Sequence, residues 1–166
     1  MQNKDFLDRA WPDMCAAYRN VELGQACLAL QEAFSVDIPL LLVLCLADKS
    51  GRMISQDDLT ALIDGSSAWR DTVITPLRQA RRAMKHSFGS QSEVALRSDI
   101  KRLELEAERL HVLRLVETFP AEAVAGQAAA PSYLAKCGLT DIAAQDFIEI
   151  FATAFNAEVA GPTAPN

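Results

Sequence analysis

Residues 39–48, PLLLVLCLAD, decide the fold that the sequence predicts. The segment is apolar on nearly every side of the helix it would form, and a helix of that kind has to be surrounded by other elements. Pro39 suits the first helical turn, and Gly51 suits the residue that ends the helix. The apolar run is about half as long as a bilayer-spanning helix requires. We therefore expect a buried central helix and no membrane span.

The rest of the chain predicts further helices packed around this one. Ala and Leu dominate over Val, Ile and Thr, a bias that favours helix over strand. The chain has 166 residues, half of them apolar, which suits one domain with a substantial core. We predict an all-α, single-domain bundle of six to eight helices over residues 1–157. Residues 119–130 are expected to be a flexible, linker-like segment, and residues 158–166 a disordered tail.

Residues 69–117 predict a long antiparallel helical hairpin. In the first arm, WRDTVITPLRQARRAMK (69–85), apolar residues recur at steps of three and four and so share one side. Pro76 removes a backbone hydrogen bond within this arm, so we expect a kink near Thr72–Val73. The second arm, 92–117, follows a box-like cap at Ser90–Glu93 and carries a coiled-coil-like seam that includes Leu96 and Leu103.

The hairpin is the basic part of an acidic chain. The net charge is −6, yet ten Arg or Lys and only six Asp or Glu lie between Trp69 and Arg114. Four of the basic residues, at positions 78, 81, 82 and 85, cluster on one face of the first arm. Such a face either binds anions, or is solvated, or forms ion pairs with Glu104, Glu106 or Glu108 of the second arm.

The anion-binding interpretation gives the first functional hypothesis, a non-enzymatic interaction or regulatory protein. Guanidinium groups fit carboxylate and phosphate in a bidentate manner. The expected partner is therefore an acidic protein or a phosphate-bearing ligand. The candidate binding residues are Trp69, Arg70, Arg78, Arg81, Arg82, Lys85, Arg97 and Lys101.

Two alternatives and one further expectation stay open at this level. A small enzyme would need a pocket between helices in which Glu104, Glu108, His111 and Arg81 meet. Nucleic-acid binding through the basic face is the weaker alternative, because the whole chain is acidic. The 96–110 seam, or the aromatic face of 142–155, would serve a homodimer.

Spacing predicts no metal site, cofactor site or catalytic residue. His86 and His111 are far apart in sequence, and no HExxH, Walker, GxGxxG or GxSxG pattern is present. The four cysteines form no CxxC pair, and the first residues, MQNKDFLDRA, carry charges where a signal peptide would be apolar. Reduced thiols and a cytoplasmic location are therefore expected.

Three stretches together resemble a known family. They are CLALQ (27–31) with DIPLLLVL (37–44), the first hairpin arm (69–85), and KRLELEAERL (101–110). Over about residues 10–115 the chain resembles an uncharacterised proteobacterial family of small helical proteins with a domain-of-unknown-function label. The resemblance implies a bacterial cytoplasmic protein and implies no activity.

Overall fold

The computed structural model describes residues 2–120 and 126–158, and it describes side chains within 8–120 and 126–157. These ranges form α1 (Gln2–Ala17), α2 (Val21–Phe34), α3 (Ile38–Lys49), α4 (Gln56–Trp69), a π-helical segment (Arg70–Ile74), α5 (Thr75–Ser87), α6 (Gln91–Glu117), α7 (Ala129–Lys136) and α8 (Asp141–Glu158). Because α4, the π-helical segment and α5 continue without a break, the described ranges hold seven continuous helices and no strand. The predicted all-α fold of six to eight helices is confirmed.

The predicted central helix is α3. Asp37 caps its start, since the carboxylate Oδ1 accepts a hydrogen bond from the Leu40 N–H at 3.2 Å. Nine of its twelve residues are buried, namely Ile38 and the whole run 40–47. Helices α1, α6 and α7 pack against it. Each fully buried leucine stabilises the fold by about 1.5–3 kcal/mol, so α3 supplies a large part of the core.

The π-helical segment is the structural consequence of Pro76. Proline has no N–H, so the carbonyl of Thr72 would lose its α-helical partner. Between Arg70 and Ile74 the helix widens, and the Thr75 N–H donates to the carbonyl of Arg70, five residues back. Where the sequence predicted a kink, near Thr72–Val73, the structure has a π-helical turn within a continuous helix. Pro12, in contrast, lies inside α1 without ending it.

Helices α5 and α6 form the predicted hairpin. The capping box at its turn is complete: the Ser90 hydroxyl accepts from the Glu93 N–H at 3.3 Å, and the Glu93 carboxylate accepts from the Ser90 N–H at 2.8 Å. Residues 79–103 include no buried side chain, so this part of the hairpin extends away from the core. Leu96 and Leu103 of the predicted seam are 53% and 47% exposed.

Helix α7 begins at Ala129, so the predicted linker 119–130 extends two residues too far. The Asp48 carboxylate accepts hydrogen bonds from the Ala129 and Ala130 N–H groups at 2.7 and 2.8 Å, which fixes the first turn. Just before it, Gln127 and Ile54 form an isolated antiparallel bridge. Residues 121–125 of the predicted linker and residues 159–166 of the predicted tail lie outside the described residues. No helix in the described ranges is long and apolar enough to cross a membrane.

Candidate functional site

Two arginines of the basic face are paired with acids of the opposite helix. Arg78 Nε lies 3.0 Å from Glu104 Oε1, and Arg78 Nη2 lies 2.8 Å from Glu108 Oε1. Arg81 binds Glu104 through Nε and, at 3.2 Å, through Nη2. These contacts join α5 to α6 and fix their antiparallel arrangement. For these two arginines, the ion-pair interpretation of the sequence describes the structure.

The pKa values of the two glutamates in this cluster, Glu104 and Glu108, are shifted in opposite directions. Burial by itself raises the pKa of Glu104, but the hydrogen bonds from Arg81 and Arg78 outweigh it and the net pKa is lowered. For Glu108 burial dominates, and Arg78 only partly offsets it, so its pKa is raised. Glu104 is therefore held ionised as the shared anchor of both arginines. Arg78 and Arg81 are therefore both held by glutamates of α6.

Four members of the predicted set form no ion pair with a described residue, namely Arg82, Lys85, Arg97 and Lys101. Arg82 of α5 and Lys101 of α6 are exposed, and neither forms an ion pair with any residue in the described ranges. Arg102 forms only a long ion pair, 3.7 Å from its Nη2 to Asp99 Oδ1, and both side chains are largely exposed. Their positive charges are available to an anion.

Arg82, Lys101 and Arg102 lie along a groove of about 800 Å³ between the hairpin and helices α1, α2 and α3. Its apolar surface comes from all these helices except α5, and includes Trp11 and Met14 of α1, Leu42 of α3 and Leu105 of α6. Six basic side chains line it, against two acidic ones, Glu104 and Glu108. The basic ones are Arg19, Arg78, Arg81, Arg82, Lys101 and Arg102. The groove thus combines an apolar floor with a positively charged rim.

The other four predicted site residues lie away from the groove lining. Trp69 donates its indole N–H to the Ala107 carbonyl at 3.1 Å, and Arg114 lies over its ring. Arg70 pairs with Asp71 at 2.8 Å. Lys85 is exposed and lies outside the groove lining. The Nε of Arg97 donates to the Arg81 carbonyl at 3.3 Å. The structure therefore unites only Arg78, Arg81, Arg82 and Lys101 of the predicted set.

A second polar cluster is sealed inside the core. The Ser66 hydroxyl donates to Asp37 Oδ2 at 2.6 Å, and His111 Nε2 lies 2.9 Å from Ser66 Oγ and 3.3 Å from Asp37 Oδ2. Tyr133 completes it, its hydroxyl oxygen accepting from the Asp37 N–H at 2.9 Å. The Ser66 hydroxyl has one proton and donates it to Asp37, so its oxygen must accept a hydrogen bond from His111. His111 Nε2 therefore carries a proton. All four residues are at most 4% exposed.

This buried cluster does not have the geometry of a nucleophilic triad. In such a triad the serine and the acid contact different nitrogens of the imidazole. Here Ser66 and Asp37 both face Nε2, and the serine donates directly to the carboxylate. The arrangement instead satisfies the buried carboxylate and ties α3, α4, α6 and α7 together.

Cysteines and metal-ligand residues add no second site. Burial raises the pKa of the Cys27 thiol to about 12 and that of Cys45 well above its usual value, so both are inert hydrophobic groups. Cys15 is exposed and lines the groove. Within the part of the chain that the structure describes, no group of three or more His, Cys, Asp or Glu residues is placed to hold a metal.

The groove contains residues that the sequence reasoning did not select. Its apolar surface comes from α1, α2, α3 and α6, and no local sequence pattern shows which apolar side chains face a groove. Arg102 carries a detectable signal, because it follows Lys101 directly on the basic hairpin. Asp37 was not selected, since its partners lie 29, 74 and 96 residues away in sequence.

One protein-family model matches the part of the chain that contains the groove. The family model described as "Protein of unknown function (DUF2390)" matches residues 9–115, well over half of the chain. The chain belongs to this family. Every residue that lines the groove falls within the DUF2390 region, as do Asp37, Ser66 and His111, whereas Tyr133 and helices α7 and α8 lie beyond it. No curated protein and no solved structure matches the chain.

Proposed function

We propose that this protein is a non-enzymatic binding protein that takes an anionic partner into the groove between the α5–α6 hairpin and helices α1–α3. The observation that carries the proposal is the pair Arg82 and Lys101. Both are exposed, both line the groove, and neither is neutralised by an acid in the described ranges. A phosphate or carboxylate group between them would gain charge-assisted hydrogen bonds at little desolvation cost to the two side chains.

The arginine–glutamate cluster beside these residues supports a positioning role. Arg78 and Arg81 are held by Glu104 and Glu108, which fixes α5 against α6 and keeps the rim in one place. A rim that is already ordered loses less conformational entropy when a ligand binds. Arg78 and Arg81 therefore contribute electrostatic potential and rigidity, and Arg82 and Lys101 contribute the direct contacts.

The same contacts favour binding over acid–base catalysis. Three of the polar residues that an enzyme would use, Glu104, Glu108 and Arg81, are engaged with one another or with Arg78. The fourth, His111, is 1% exposed and directs Nε2 towards Ser66 and Asp37 rather than into the groove. Each of these four residues is thus already held by another side chain.

The proposal includes a cytoplasmic location and a bacterial source. Four free cysteines are compatible with a reducing compartment, where thiols persist. The family resemblance supports a bacterial source.

The test is binding of a panel of anions by isothermal titration calorimetry. The panel consists of inorganic pyrophosphate, octyl phosphate and a Glu-rich amphipathic peptide. We expect at least one to bind, and expect the double variant Arg82→Gln/Lys101→Gln to bind it about tenfold or more weakly, because charge-assisted hydrogen bonds are worth about 1.5–3 kcal/mol each.

Lys136→Glu is the matched control for this test. It changes the net charge by the same amount as the double variant, at an exposed position of α7 that does not line the groove. The affinity of this variant should stay within about twofold of the wild type, because Lys136 does not line the groove. Absence of binding to all three anions, or equal weakening in the control, would contradict the proposal.

A further inference from the structure

Along α6, the charged groove residues without a close ion pair lie at one end. Arg78 pairs with Glu108 and the Arg81 carbonyl bonds to Arg97, so positions 82 and 101 lie towards the hairpin turn. Val112, the last groove residue of α6, is buried in the core at the other end. Lys101 and Val112 are eleven positions apart, which is about 16 Å along a helix axis.

The charges at the two ends of α6 differ in kind. Lys101 and Arg102 stand at the end near the hairpin turn, together with Arg82 of α5. Towards Val112, the charged groove residue of α6 is Glu108, which Arg78 neutralises. Between and around them lie Leu105 of α6 and Ile38, Pro39 and Leu42 of α3. A ligand that matches this surface carries negative charge at one end and hydrocarbon along the rest.

We propose that the ligand is a single-chain amphiphile. Its phosphate or carboxylate head lies against Arg82 and Lys101, and its hydrocarbon chain lies in the apolar part of the groove. This inference rests on the proposed function and specifies its ligand class. An acidic helix of a partner protein matches less well, because it would spread carboxylates along its length and bring some of them to the Glu108 end.

The size of the groove fits the same class. Small-molecule pockets have volumes of about 300–1,000 Å³ and are lined mostly by apolar side chains with a few placed polar groups. At about 800 Å³ the groove is inside that range. A helix is about 10–12 Å wide with its side chains, so about 16 Å of helix occupies on the order of 1,500 Å³. Only part of such a helix would enter.

The experiment is a calorimetric series of ethyl, hexyl and octyl phosphate below their micelle concentrations, with octyl trimethylammonium as the opposite-charge control. Burying one methylene is worth about 0.8 kcal/mol, so affinity should rise by up to about fourfold for each added CH₂. The ammonium compound should not bind. Equal affinity for all chain lengths, or binding of the ammonium compound, would overturn the inference.

Two exposed leucines of α6 provide a matched pair of variants that leave the core intact. Leu105 lines the groove and is 55% exposed, whereas Leu103 is 47% exposed and does not line it. Leu105→Gln should weaken octyl phosphate binding about tenfold and leave pyrophosphate binding unchanged. Leu103→Gln should change neither. Equal weakening by both substitutions would overturn the assignment of the chain to the groove.

Failure of this inference is distinguishable from failure of the proposed function. If pyrophosphate or the acidic peptide binds through Arg82 and Lys101 and octyl phosphate does not, the amphiphile is wrong and the binding function stands. If no anion binds, both fail. A phosphate head with a hydrocarbon chain occurs both in free amphiphiles and in membrane lipids. Binding to phosphatidylcholine vesicles that contain phosphatidic acid tells these two sources apart. Binding of octyl phosphate without vesicle binding supports a free single-chain amphiphile, whereas binding to the vesicles as well would overturn it in favour of the headgroup of a membrane lipid.

Discussion

An added Cβ at Gly126 would lie 2.7 Å from Met53 Cβ and 2.9 Å from the backbone nitrogen of Ile54. These atoms belong to the segment that bridges to Gln127, so they cannot move without breaking the bridge. We expect Gly126→Ala to lower the free energy of unfolding by about 1–3 kcal/mol, the usual cost of overpacking. Urea denaturation followed by circular dichroism measures the change.

Gly65 is the control for that substitution. It lies in α4, and its added Cβ would meet nothing within 4 Å. Gly65→Ala should stabilise the protein by about 0.5–1 kcal/mol, because alanine loses less backbone entropy in a helix. If both alanines have the same effect, the close packing at Gly126 is refuted.

Asp37 is one residue that makes stability depend on acid pH. Burial raises the pKa of Asp37, but the hydrogen bonds with His111 and Ser66 lower it by more than burial raises it. The net pKa is therefore below the ordinary value. A lowered pKa contributes stability that is present above the unfolded-state value, about 3.9, and is lost as pH falls through the folded-state pKa.

Asp37→Asn should therefore cost about 1–3 kcal/mol at pH 7. The difference from the wild type should shrink as pH falls below about 4. Urea titrations at a series of pH values test this. A difference that stays constant, or that grows towards low pH, would show that the Asp37 carboxylate is not held in its ionised form.

At the scale of elements, Asp48 of α3 sets the start of α7. Its carboxylate accepts from the N–H groups of Ala129 and Ala130, two groups that have no partner inside the helix. We expect Asp48→Ala to cost about 1–2 kcal/mol, in the range of a lost N-terminal cap. The amide protons of Ala129 and Ala130 should exchange faster, as NMR hydrogen exchange would record.

Asp64→Ala is a suitable comparison, since Asp64 is an exposed residue of α4. It should change stability by less than about 0.5 kcal/mol. If exchange at Ala129 and Ala130 is the same in Asp48→Ala as in the wild type, the carboxylate does not fix the start of α7.

The elements themselves were predictable because their signals are local. The apolar run 40–47 revealed α3, and the serine and glutamate at 90 and 93 revealed the cap of α6. Pro76 indicated where α4 and α5 would be disturbed, although not that the result is a π-helical turn. The start of α7 was missed because the deciding residue, Asp48, is 81 residues away in sequence.

At the scale of the whole molecule, the sequence indicated the charged half of the candidate site. Helical spacing placed positions 78, 81 and 82 together, and all three line the groove. Ion pairs with Glu104 or Glu108 were one alternative, but the sequence could not indicate that they would engage Arg78 and Arg81 and leave Arg82 available. That division depends on the register between α5 and α6, which is set by packing. The apolar floor depends likewise on how α1, α2 and α3 meet the hairpin.

Cys15 allows the location of the ligand to be tested directly. It is exposed and lines the groove, and Cys137, which is half-buried and does not line it, provides an internal reference. The measurement is the rate at which iodoacetamide alkylates each cysteine, followed by mass spectrometry, with and without octyl phosphate. The account predicts that octyl phosphate slows alkylation of Cys15 but not of Cys137, and that Arg82→Gln/Lys101→Gln abolishes the protection. Unchanged alkylation of Cys15 at concentrations where octyl phosphate binds would contradict it.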